Sequence, residues 1–548
     1  MAGRKHQLAL VAGRGHVEPA SKPKVARAQL FRSSALVGVL QTICVLAAYL
    51  REMVVAHSFG TQVQVDRYYV AFTIACLVPT LAQTLLWAVF VPIFIRRFMQ
   101  DERGVWRFSN ITLSWLFLTL IVSTAGLVFH AHQWIRYLAP GFDLEAVSST
   151  SRLLYVLAPV LALMGINIQL MAILNAMKVF GVATVSQTLP SLVSLVAILM
   201  LGGRMGIASV AWGWTLGSFL QTFVLGWYCR RAGYRYRFQL FPLSCVKELA
   251  STGALYLVPT VSVLFVTLVD RSYASLLGIG NIATLNYGDK LFRIPMTVLT
   301  TSLFTVSLSY LAESAAKRDM DHFRETASLA LRFAAFLLFP AAAIFYICRE
   351  PITSLAYQRG AFSTNDTRIV AATMLFFAPH VVVHGLWCTV ERSLIALGKF
   401  GTLTVSSLVM VAVKLTAASL LYRPLGLPGI VLSTLLCFLA GLAINYAVMI
   451  REVGMRSLRN DATAIGRVAL ATIVAGAASL ATDSLLVRYL SLESLLPINA
   501  ARVLAACGVG GAMYLLVSRW LAIPEAASLQ CWAQRRFNHH RLTLMEQR

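Results

Sequence analysis

Residues 158–186 read APVLALMGINIQLMAILNAMKVFGVATVS, and residues 378–406 repeat this stretch as APHVVVHGLWCTVERSLIALGKFGTLTVS. Ten aligned positions are identical without a gap, more than shared apolar composition should give by chance. The two copies lie 220 residues apart. Internal duplication of a hydrophobic segment is typical of transporters.

The composition around this repeat indicates a membrane protein. The chain is 58% hydrophobic and only 13% charged, with a mean hydropathy of +0.71. Its apolar residues fall into many long runs of the length that crosses a bilayer as a helix. The alternating pattern of about ten residues per pass that marks an outer-membrane barrel is not seen. We therefore predict an all-α polytopic membrane protein.

Hydropathy predicts about fourteen transmembrane helices. Basic residues cluster on alternate connections, for example Arg96–Arg97, Arg230–Arg231 and Lys317–Arg318. By the positive-inside rule these connections, and with them both termini, are cytoplasmic. The predicted spans are 34–58, 67–95, 108–130, 152–177, 181–202, 206–228, 247–270, 281–312, 326–348, 368–396, 402–422, 427–450, 465–487 and 499–521.

The repeat predicts how these spans are grouped. A shift of 220 residues carries the fourth span onto the tenth, an even number of crossings, so the copies share one orientation and form two six-helix lobes related by a parallel repeat. Two extra C-terminal helices lie outside the duplication. The predicted divisions are a basic cytoplasmic tail at 1–33, a first lobe at 34–230, a cytoplasmic linker at 231–246, a second lobe at 247–450, two additional helices at 465–521, and a basic cytoplasmic tail at 522–548.

Charge and cysteine usage exclude several classes of function. The net charge of +24 comes from lysines and arginines that cap helices on one side of a membrane, where they attract anionic membrane lipids. We therefore expect no nucleic-acid partner. The nine cysteines stand singly, without a CxxC pair, so we expect neither a metal site nor a cofactor. The N-terminal apolar stretch around Leu8–Val11 is too weak for a signal peptide.

Charges inside the apolar spans are the candidate site residues. A charged side chain at mid-bilayer costs roughly 2.5–3.5 kcal/mol on insertion scales, so each one usually has a partner or a wet cavity. The densest group is Asp289, Lys290 and Arg293. It can be a simple i,i+4 ion pair, or a cationic substrate-binding site for a phosphate-bearing ligand.

Weaker candidates lie in four other spans. Arg51, close to the predicted outer end of the first span, can bind substrate, and Glu52 beside it can line a cavity or take part in coupling; both can instead reach the interface. Asp66 can serve a cavity or cap a helix. In the tenth span, His380, His384 and Glu391 share roughly one face, with Arg392 adjacent. These residues are candidates for cavity contacts or proton coupling, and a polar seam between helices is the alternative for them. Lys414, an isolated charge deep in the eleventh span, is a further candidate for a cavity or coupling role.

Only the second copy of the repeat carries these charges. Opposite the charged residues of the second copy, the first copy has uncharged side chains. This asymmetry predicts that the second lobe does most of the headgroup recognition. The uncharged positions, in the order of His380, His384, Glu391, Arg392 and Lys414, are Val160, Met164, Met171, Ala172 and Ser194.

Several short motifs occur in a consistent order along the chain. The first half contains Arg51-Glu52, Phe59-Gly60, Asp66 leading into YYVAF, and Val91-Pro92-Ile93. The second half contains YGDKL at 287–291, Pro295, the stretch from Arg332 to Pro340, and QRGAF at 358–362 with Asp366. In this order and spacing the chain, from about residue 30 to 520, resembles the MurJ/MviN lipid flippases of bacterial cell-wall synthesis.

The resemblance implies a fold of the multidrug/oligosaccharidyl-lipid/polysaccharide exporter superfamily around a cationic cavity. It implies a flippase, not an enzyme, that moves undecaprenyl-pyrophosphate-linked glycans, above all lipid II, across the bacterial inner membrane. Arg51 matches the family's basic position in the first helix, and Lys290 matches the one in the eighth. Cell-wall or polysaccharide synthesis proteins are the implied partners.

This chain departs from the family's pattern at two places. The span from Tyr68 to Ile95 contains no charged residue, whereas the family usually has basic residues and a glutamate there. In the first span, Val45 stands where many members of the family have an arginine. Arg293 adds positive charge where the family is often acidic. These departures keep a second cargo open, an exopolysaccharide or O-antigen repeat unit.

Three further classes of function compete with a flippase. A small-molecule antiporter of the same superfamily fits the two lobes, but a cationic cavity suits anionic cargo better. A membrane-embedded glycan polymerase or ligase should have a large polar outer loop, and the predicted outer loops 131–151 and 349–367 are short. A non-transporting scaffold is the third alternative.

Overall fold

The fold was taken from a computed structural model, which describes residues 23–100, 102–177, 179–454, 458–489 and 496–527. The predicted tails at 1–33 and 522–548 therefore lie largely outside the described residues. Within these residues the chain is helical and no strand occurs. The helices are α1 Pro23–Phe59, α2 Val63–Leu85, α3 Val91–Gln100, α4 Glu102–Phe129, α5 Ala131–Leu138, α6 Leu144–Ala176, α7 Phe180–Val185, α8 Leu189–Met205, α9 Ala208–Arg231, α10 Ser244–Leu276, α11 Asn281–Ala316, α12 Met320–Ile347, α13 Arg349–Tyr357, α14 Thr364–Ala396, α15 Phe400–Leu425, α16 Leu427–Val453, α17 Leu458–Tyr489 and α18 Leu496–Trp520.

The prediction of an all-α polytopic membrane protein is confirmed. Twelve segments of the described chain are helices long and apolar enough to cross a membrane. The two predicted spans outside that set, 206–228 and 281–312, are helical too, in α9 and α11. They are less apolar because α9 is rich in Gly, Ser and Thr and α11 carries Asp289, Lys290 and Arg293. The count of fourteen remains a prediction.

The chain packs as two compact units, residues 1–286 with 359–363, and residues 287–358 with 364–548. The predicted lobe boundaries remain predictions. The duplication is visible in helix lengths: α4 and α12 both contain 28 residues, and α6 and α14 both contain 33. The short helices α5 and α13 precede α6 and α14 in the same way. The sequence repeat therefore corresponds to a repeat of helical segments.

Two pairs of repeated glycines explain why the copies keep the same backbone. Gly206 and Gly426 have φ values of 57° and 60°, and each lies between a span and the next helix. Only glycine adopts this left-handed conformation at little cost, so both turns require it. Gly165 and Gly385 each pack against a leucine, Leu120 and Leu338, that a Cβ atom would overlap. The duplicated glycines fix one turn and one close packing contact per copy.

Helices α8 and α9 pack at close range through Gly213 and Gly217, four residues apart on α9. A Cβ atom at Gly213 would come within 2.5 Å of the Cα of Ser194. A Cβ atom at Gly217 would come within 2.5 Å of the Cα of Pro190. Small residues at this spacing let two membrane helices approach closely, so that van der Waals contact stabilises the pair.

The two additional helices α17 and α18 pack on α12 within the second unit. The Tyr514 hydroxyl donates to the carbonyl of Phe336 at 2.7 Å. Arg502 donates to both carboxylate oxygens of Asp483, at 2.8 and 3.0 Å, which links α18 to α17. Bidentate pairs of this kind combine charge with fixed geometry, so the terminal helices are an integral part of this unit.

We predict that Gly213→Ala combined with Gly217→Ala destabilises the protein by about 1–3 kcal/mol per site, because each added methyl overpacks the α8–α9 contact. The midpoint of thermal unfolding, measured in detergent by loss of the monodisperse size-exclusion peak, should fall. Gly203→Ala on α8 is the control, because a Cβ atom there has nothing within 4 Å. Equal midpoints for the double variant and the control would contradict the close contact.

Candidate functional site

A buried ion pair in the first unit contains two of the predicted site residues. Arg51 and Glu52 of α1 are 3% and 1% exposed, and the Arg51 guanidinium donates to the Glu52 carboxylate. The Tyr69 hydroxyl of α2 donates to the other carboxylate oxygen of Glu52 at 2.7 Å. Arg51 also donates to the Tyr68 hydroxyl at 3.4 Å. Arg51 therefore does not reach out to the interface, the alternative left open by the sequence.

Aromatic and basic side chains distant in sequence complete this cluster. The Arg51 guanidinium lies 4.6 Å from the centroid of the Trp214 ring of α9, a cation–π contact. Arg271 of α10 lies 6.0 Å from the centroid of the Tyr69 ring. The sequence analysis did not single out Trp214 or the two tyrosines for this role. The signal that could have found them is the buried arginine itself, which needs partners from other helices.

The Nε of Arg51 is buried and has no hydrogen-bond partner among the described residues. The remaining guanidinium nitrogens already bind Glu52 and Tyr68. A buried donor without an acceptor costs about 1–3 kcal/mol, so this nitrogen could gain energy from an added acceptor. The cluster is thus a preformed cationic group with one donor unused.

Asp66 caps a helix other than its own. Its two carboxylate oxygens accept from the backbone N–H groups of Gly280, at 2.6 Å, and Ala283, at 2.7 Å. These are orphan donors at the start of α11, where the helix dipole favours negative charge. Asp66 is 2% exposed. These contacts are those of a helix cap, one of the two roles that the sequence left open for Asp66. The capped helix, however, begins more than two hundred residues later in the chain.

The charged group on α11 contains the predicted i,i+4 ion pair. The Arg293 Nε donates to Asp289 Oδ2 at 2.7 Å. The Arg293 side chain is nevertheless 58% exposed, and Lys290 beside it is partly exposed. The ion pair and an accessible cationic surface are therefore compatible with each other on this helix.

His380 and His384 of α14 stack together, with ring centroids 5.3 Å apart. Phe292 lies 4.8 and 5.8 Å from the two rings, and Phe438 lies 4.9 and 4.7 Å from them. The Nδ1 atoms of both histidines are buried without a hydrogen-bond partner in the described part of the chain. Aromatic rings therefore surround the two histidines, and the charged side chains of Arg293, Asp289 and Lys414 lie close enough to act on them electrostatically.

Lys414 of α15 is fully buried and is held by oxygen atoms of α16. Its ammonium donates to the hydroxyls of Ser433 and Thr434, both at 2.7 Å, and to the carbonyl of Ile430 at 3.1 Å. This arrangement is a polar contact between two helices, and its three oxygen acceptors offset the cost of burying the lysine.

Glu391 and Arg392 lie farther along α14 and are partly exposed. Among the described residues, Glu391 shares no hydrogen bond with His380 or His384. Over the described ranges, no three His, Cys, Asp or Glu side chains are grouped so that they could hold a metal ion. The candidates Asp289, Arg293, His380, His384 and Lys414 lie near one another in the second unit, and among the described residues they form no metal-type cluster.

The family model described as "Lipid II flippase MurJ" matches residues 55–501. This match spans most of the chain, including α2 to α17 and all the candidate residues except Arg51 and Glu52. The chain belongs to the lipid II flippase MurJ family. It is therefore a multi-pass membrane transporter rather than an enzyme, as the sequence analysis predicted.

Relatives with the name "Probable lipid II flippase MurJ" support this membership. The one from Rickettsia prowazekii is 26% identical over 355 residues, which are 64% of this chain and 70% of the relative. The one from Bdellovibrio bacteriovorus is 26% identical over 384 residues, 66% and 72% of the two chains. The one from Thermotoga maritima is 24% identical over 401 residues, 72% and 80% of the two chains.

Solved structures support the predicted superfamily fold. A structure described as "Lipid II flippase MurJ, inward closed conformation" has a TM-score of 0.73 at 18% identity and covers 89% of this chain and all of its own. An inward-facing multidrug resistance MATE transporter of the MOP superfamily has a TM-score of 0.62 at 13% identity, covering 76% and 98%. An outward-facing one has a TM-score of 0.58 at 12% identity, covering 77% and 95%.

We predict that Asp66→Asn lowers the free energy of unfolding by about 1–2 kcal/mol, because it removes the negative charge at the N-terminus of α11 and one of two acceptors. Thermal unfolding in detergent measures the change. Asp319→Asn is the matched control: Asp319 caps α12 through the His322 N–H at 3.0 Å, is exposed, and Asn caps about as well as Asp. Equal shifts for both variants would contradict the role of the buried charge.

Proposed function

We propose that this chain moves lipid II, the undecaprenyl-pyrophosphate-linked precursor of peptidoglycan, from the cytoplasmic to the outer leaflet of the bacterial cytoplasmic membrane. The family match over residues 55–501 carries this proposal. The order of basic connections supports an orientation with both termini in the cytoplasm. Since such a precursor is made on one side of the membrane and used on the other, proteins of cell-wall synthesis are the expected partners.

The headgroup chemistry supports basic residues as the binding groups. A pyrophosphate carries several acceptor oxygens, and Arg and Lys are the side chains that bind them most strongly. In the proposal, Lys290 and Arg293 of α11 bind the pyrophosphate, with Asp289 orienting Arg293 through its 2.7 Å hydrogen bond. The 58% exposure of the Arg293 side chain supports access for a ligand.

Arg51 is proposed as a third cationic contact. Its pairing with Glu52 and its stacking on Trp214 hold the guanidinium in place, and its Nε has no acceptor in the described chain. A phosphate oxygen that approached this nitrogen would satisfy a donor that is now buried and unused. Glu52 then serves as a positioning residue for Arg51, not as a substrate contact.

Alternating access is the proposed mechanism. A parallel repeat is typical of transporters that work in this way. MATE transporters with a similar fold have been solved in both inward-facing and outward-facing conformations. The polar headgroup crosses in contact with the cationic groups while the polyprenyl chain stays in lipid. This division avoids moving a pyrophosphate through hydrocarbon, where unpaired charge is costly.

We predict that Lys290→Gln combined with Arg293→Gln reduces the flipping of lipid II by about a hundredfold, because two charge-assisted contacts with the pyrophosphate are lost. A leaflet-accessibility assay in proteoliposomes with lipid II measures this rate. Near-normal flipping in the double variant would overturn the proposed binding role.

Two controls separate binding from folding in this experiment. Lys317→Gln with Arg318→Gln removes the same charges from the exposed connection that follows α11, and should flip normally. The triple variant Asp289→Asn, Lys290→Gln, Arg293→Gln leaves no carboxylate without its arginine. Activity that returns in the triple variant would mean that an unpaired Asp289, rather than lost pyrophosphate contacts, caused the defect.

The identity of the transported glycan is tested by comparing lipid II with a lipid-linked exopolysaccharide unit in the same assay. Lipid II should be moved faster, because the family match is to lipid II flippases. Faster movement of the exopolysaccharide unit would overturn the proposed cargo and leave the flippase mechanism in place.

A further inference from the structure

The first unit contains a cavity of about 690 Å³ that belongs to none of the clusters described above. It lies between α4, α6 and α9 and is closed on one side by the segment 232–243 that follows α9. Its volume falls in the range of about 300–1,000 Å³ that is common for small-molecule and cofactor sites. We refer to it as the arginine-lined cavity.

The walls of the arginine-lined cavity differ in chemistry from one end to the other. Leu113 and Phe117 of α4, Leu170 of α6 and Phe223 of α9 form an apolar wall. Phe117 and Phe223 are 38% and 73% exposed, and α4, which carries Phe117, is long and apolar enough to cross a membrane. This end of the cavity is suited to a hydrocarbon chain.

The other end of the cavity is basic. Arg230, Arg235 and Arg237 line it, and all three are exposed. In the described part of the chain none of the three is in an ion pair with a carboxylate. Three arginines without acidic partners at one end of a cavity are the arrangement that binds a phosphate group.

The segment that carries two of these arginines is fixed in place. The Trp115 Nε1 of α4 donates to the carbonyl of Leu240 at 3.0 Å, and the backbone N–H of Gln239 donates to the Ser114 hydroxyl at 3.1 Å. The hydroxyls of Ser114 and Tyr236 are also 3.1 Å apart, within hydrogen-bond distance. Contacts at three successive points make this wall a built part of the cavity.

Tyr234 gives a second, independent indication of a ligand. It lines the cavity, is only 3% exposed, and its hydroxyl has no hydrogen-bond partner among the described residues. Burial raises the pKa of the Tyr234 phenol, with Cys229 and Tyr236 nearby adding to the rise, so the group stays protonated and can donate. A buried donor without an acceptor is rare in native proteins, and a phosphate or ester oxygen would satisfy it.

We propose that the arginine-lined cavity binds one anionic glycerophospholipid, with its phosphate at Arg230, Arg235 and Arg237 and an acyl chain along Leu113, Phe117 and Phe223. This combination of an anionic head and an apolar chain matches both ends of the cavity. The four arginines at 230–237 lie in a connection that the positive-inside rule assigns to the cytoplasmic face, where anionic lipids are concentrated. The lipid is a bound ligand of the first unit and not the transported cargo.

The test uses the purified full chain and native mass spectrometry, with phosphatidylglycerol or phosphatidylcholine added at equal concentration. We expect a retained phosphatidylglycerol adduct and little phosphatidylcholine. Arg235→Gln with Arg237→Gln should weaken phosphatidylglycerol binding by about tenfold or more, because two charge-assisted contacts are lost. Arg451→Gln with Arg467→Gln, two exposed arginines of the second unit, should leave binding unchanged.

A steric variant tests the cavity without changing its charge. Gly226 lines the cavity, and a Cβ atom added there has nothing within 4 Å. Gly226→Phe should therefore fill the space and reduce phosphatidylglycerol binding. Gly126→Phe on α4 is the control, since a Cβ atom at Gly126 also meets nothing within 4 Å and this residue does not line the cavity.

Three results would overturn the proposal: equal retention of the two phospholipids, unchanged binding in Arg235→Gln/Arg237→Gln, or an adduct that only a polyprenyl pyrophosphate forms. Size-exclusion profiles establish that each variant is folded. If Gly226→Phe does not fold, the arginine variants still decide. Because the readout is lipid retention and not flipping, failure here leaves the proposed function standing.

Discussion

A polar group inside the hydrocarbon of a membrane has no water to bind, and the arrangement of this chain follows from that constraint. Backbone N–H and C=O groups are satisfied within long helices, which is why most of the described residues are helical. The groups that helices leave over must be satisfied by side chains. Asp66 does this for the first N–H groups of α11, and Lys414 finds three oxygen atoms on α16.

The same constraint explains why the helices could be predicted and their partners could not. Apolar runs, Pro159 and Pro379 at matching places, and repeated glycines are local signals, and every predicted span is helical over most of its length. The partner of Asp66 lies 214 residues away at Gly280, and the ring under Arg51 belongs to Trp214. No spacing rule along one helix gives these pairs, because they depend on which helices pack together. The charges were visible in the sequence, but their satisfaction required the fold.

The sequence repeat predicted that the charged site residues lie mostly in the second lobe, but the contacts show a charged group in the first unit as well. The first unit has its own charged group: Arg51 pairs with Glu52, Glu52 accepts from the Tyr69 hydroxyl, and Arg271 lies 6.0 Å from the centroid of the Tyr69 ring. The repeated stretches 158–186 and 378–406 do not include this group, which lies on α1, α2 and α10. The second span carries no charge between Tyr68 and Ile95, but Arg271 of α10 brings a positive charge to Tyr69 of that span.

The two copies show how one scaffold can hold unlike chemistry. Ser194 and Lys414 are 220 residues apart, and so are Val210 and Ile430. The Ser194 hydroxyl donates to the carbonyl of Val210 at 3.2 Å, and the Lys414 ammonium donates to the carbonyl of Ile430 at 3.1 Å. The repeat has therefore kept the acceptor and exchanged the donor.

The neighbouring positions account for this exchange. Gly213 lies against Ser194 at the α8–α9 contact, so the first copy has room only for a small donor there. The second copy has Ser433 in place of Gly213, and its hydroxyl binds Lys414 at 2.7 Å. A short serine suits helices in close van der Waals contact, whereas a lysine needs further oxygen atoms to offset the cost of burying its charge. A glycine on one helix thus decides whether the facing position can carry a charge, which is how a symmetric backbone supports two chemically different halves.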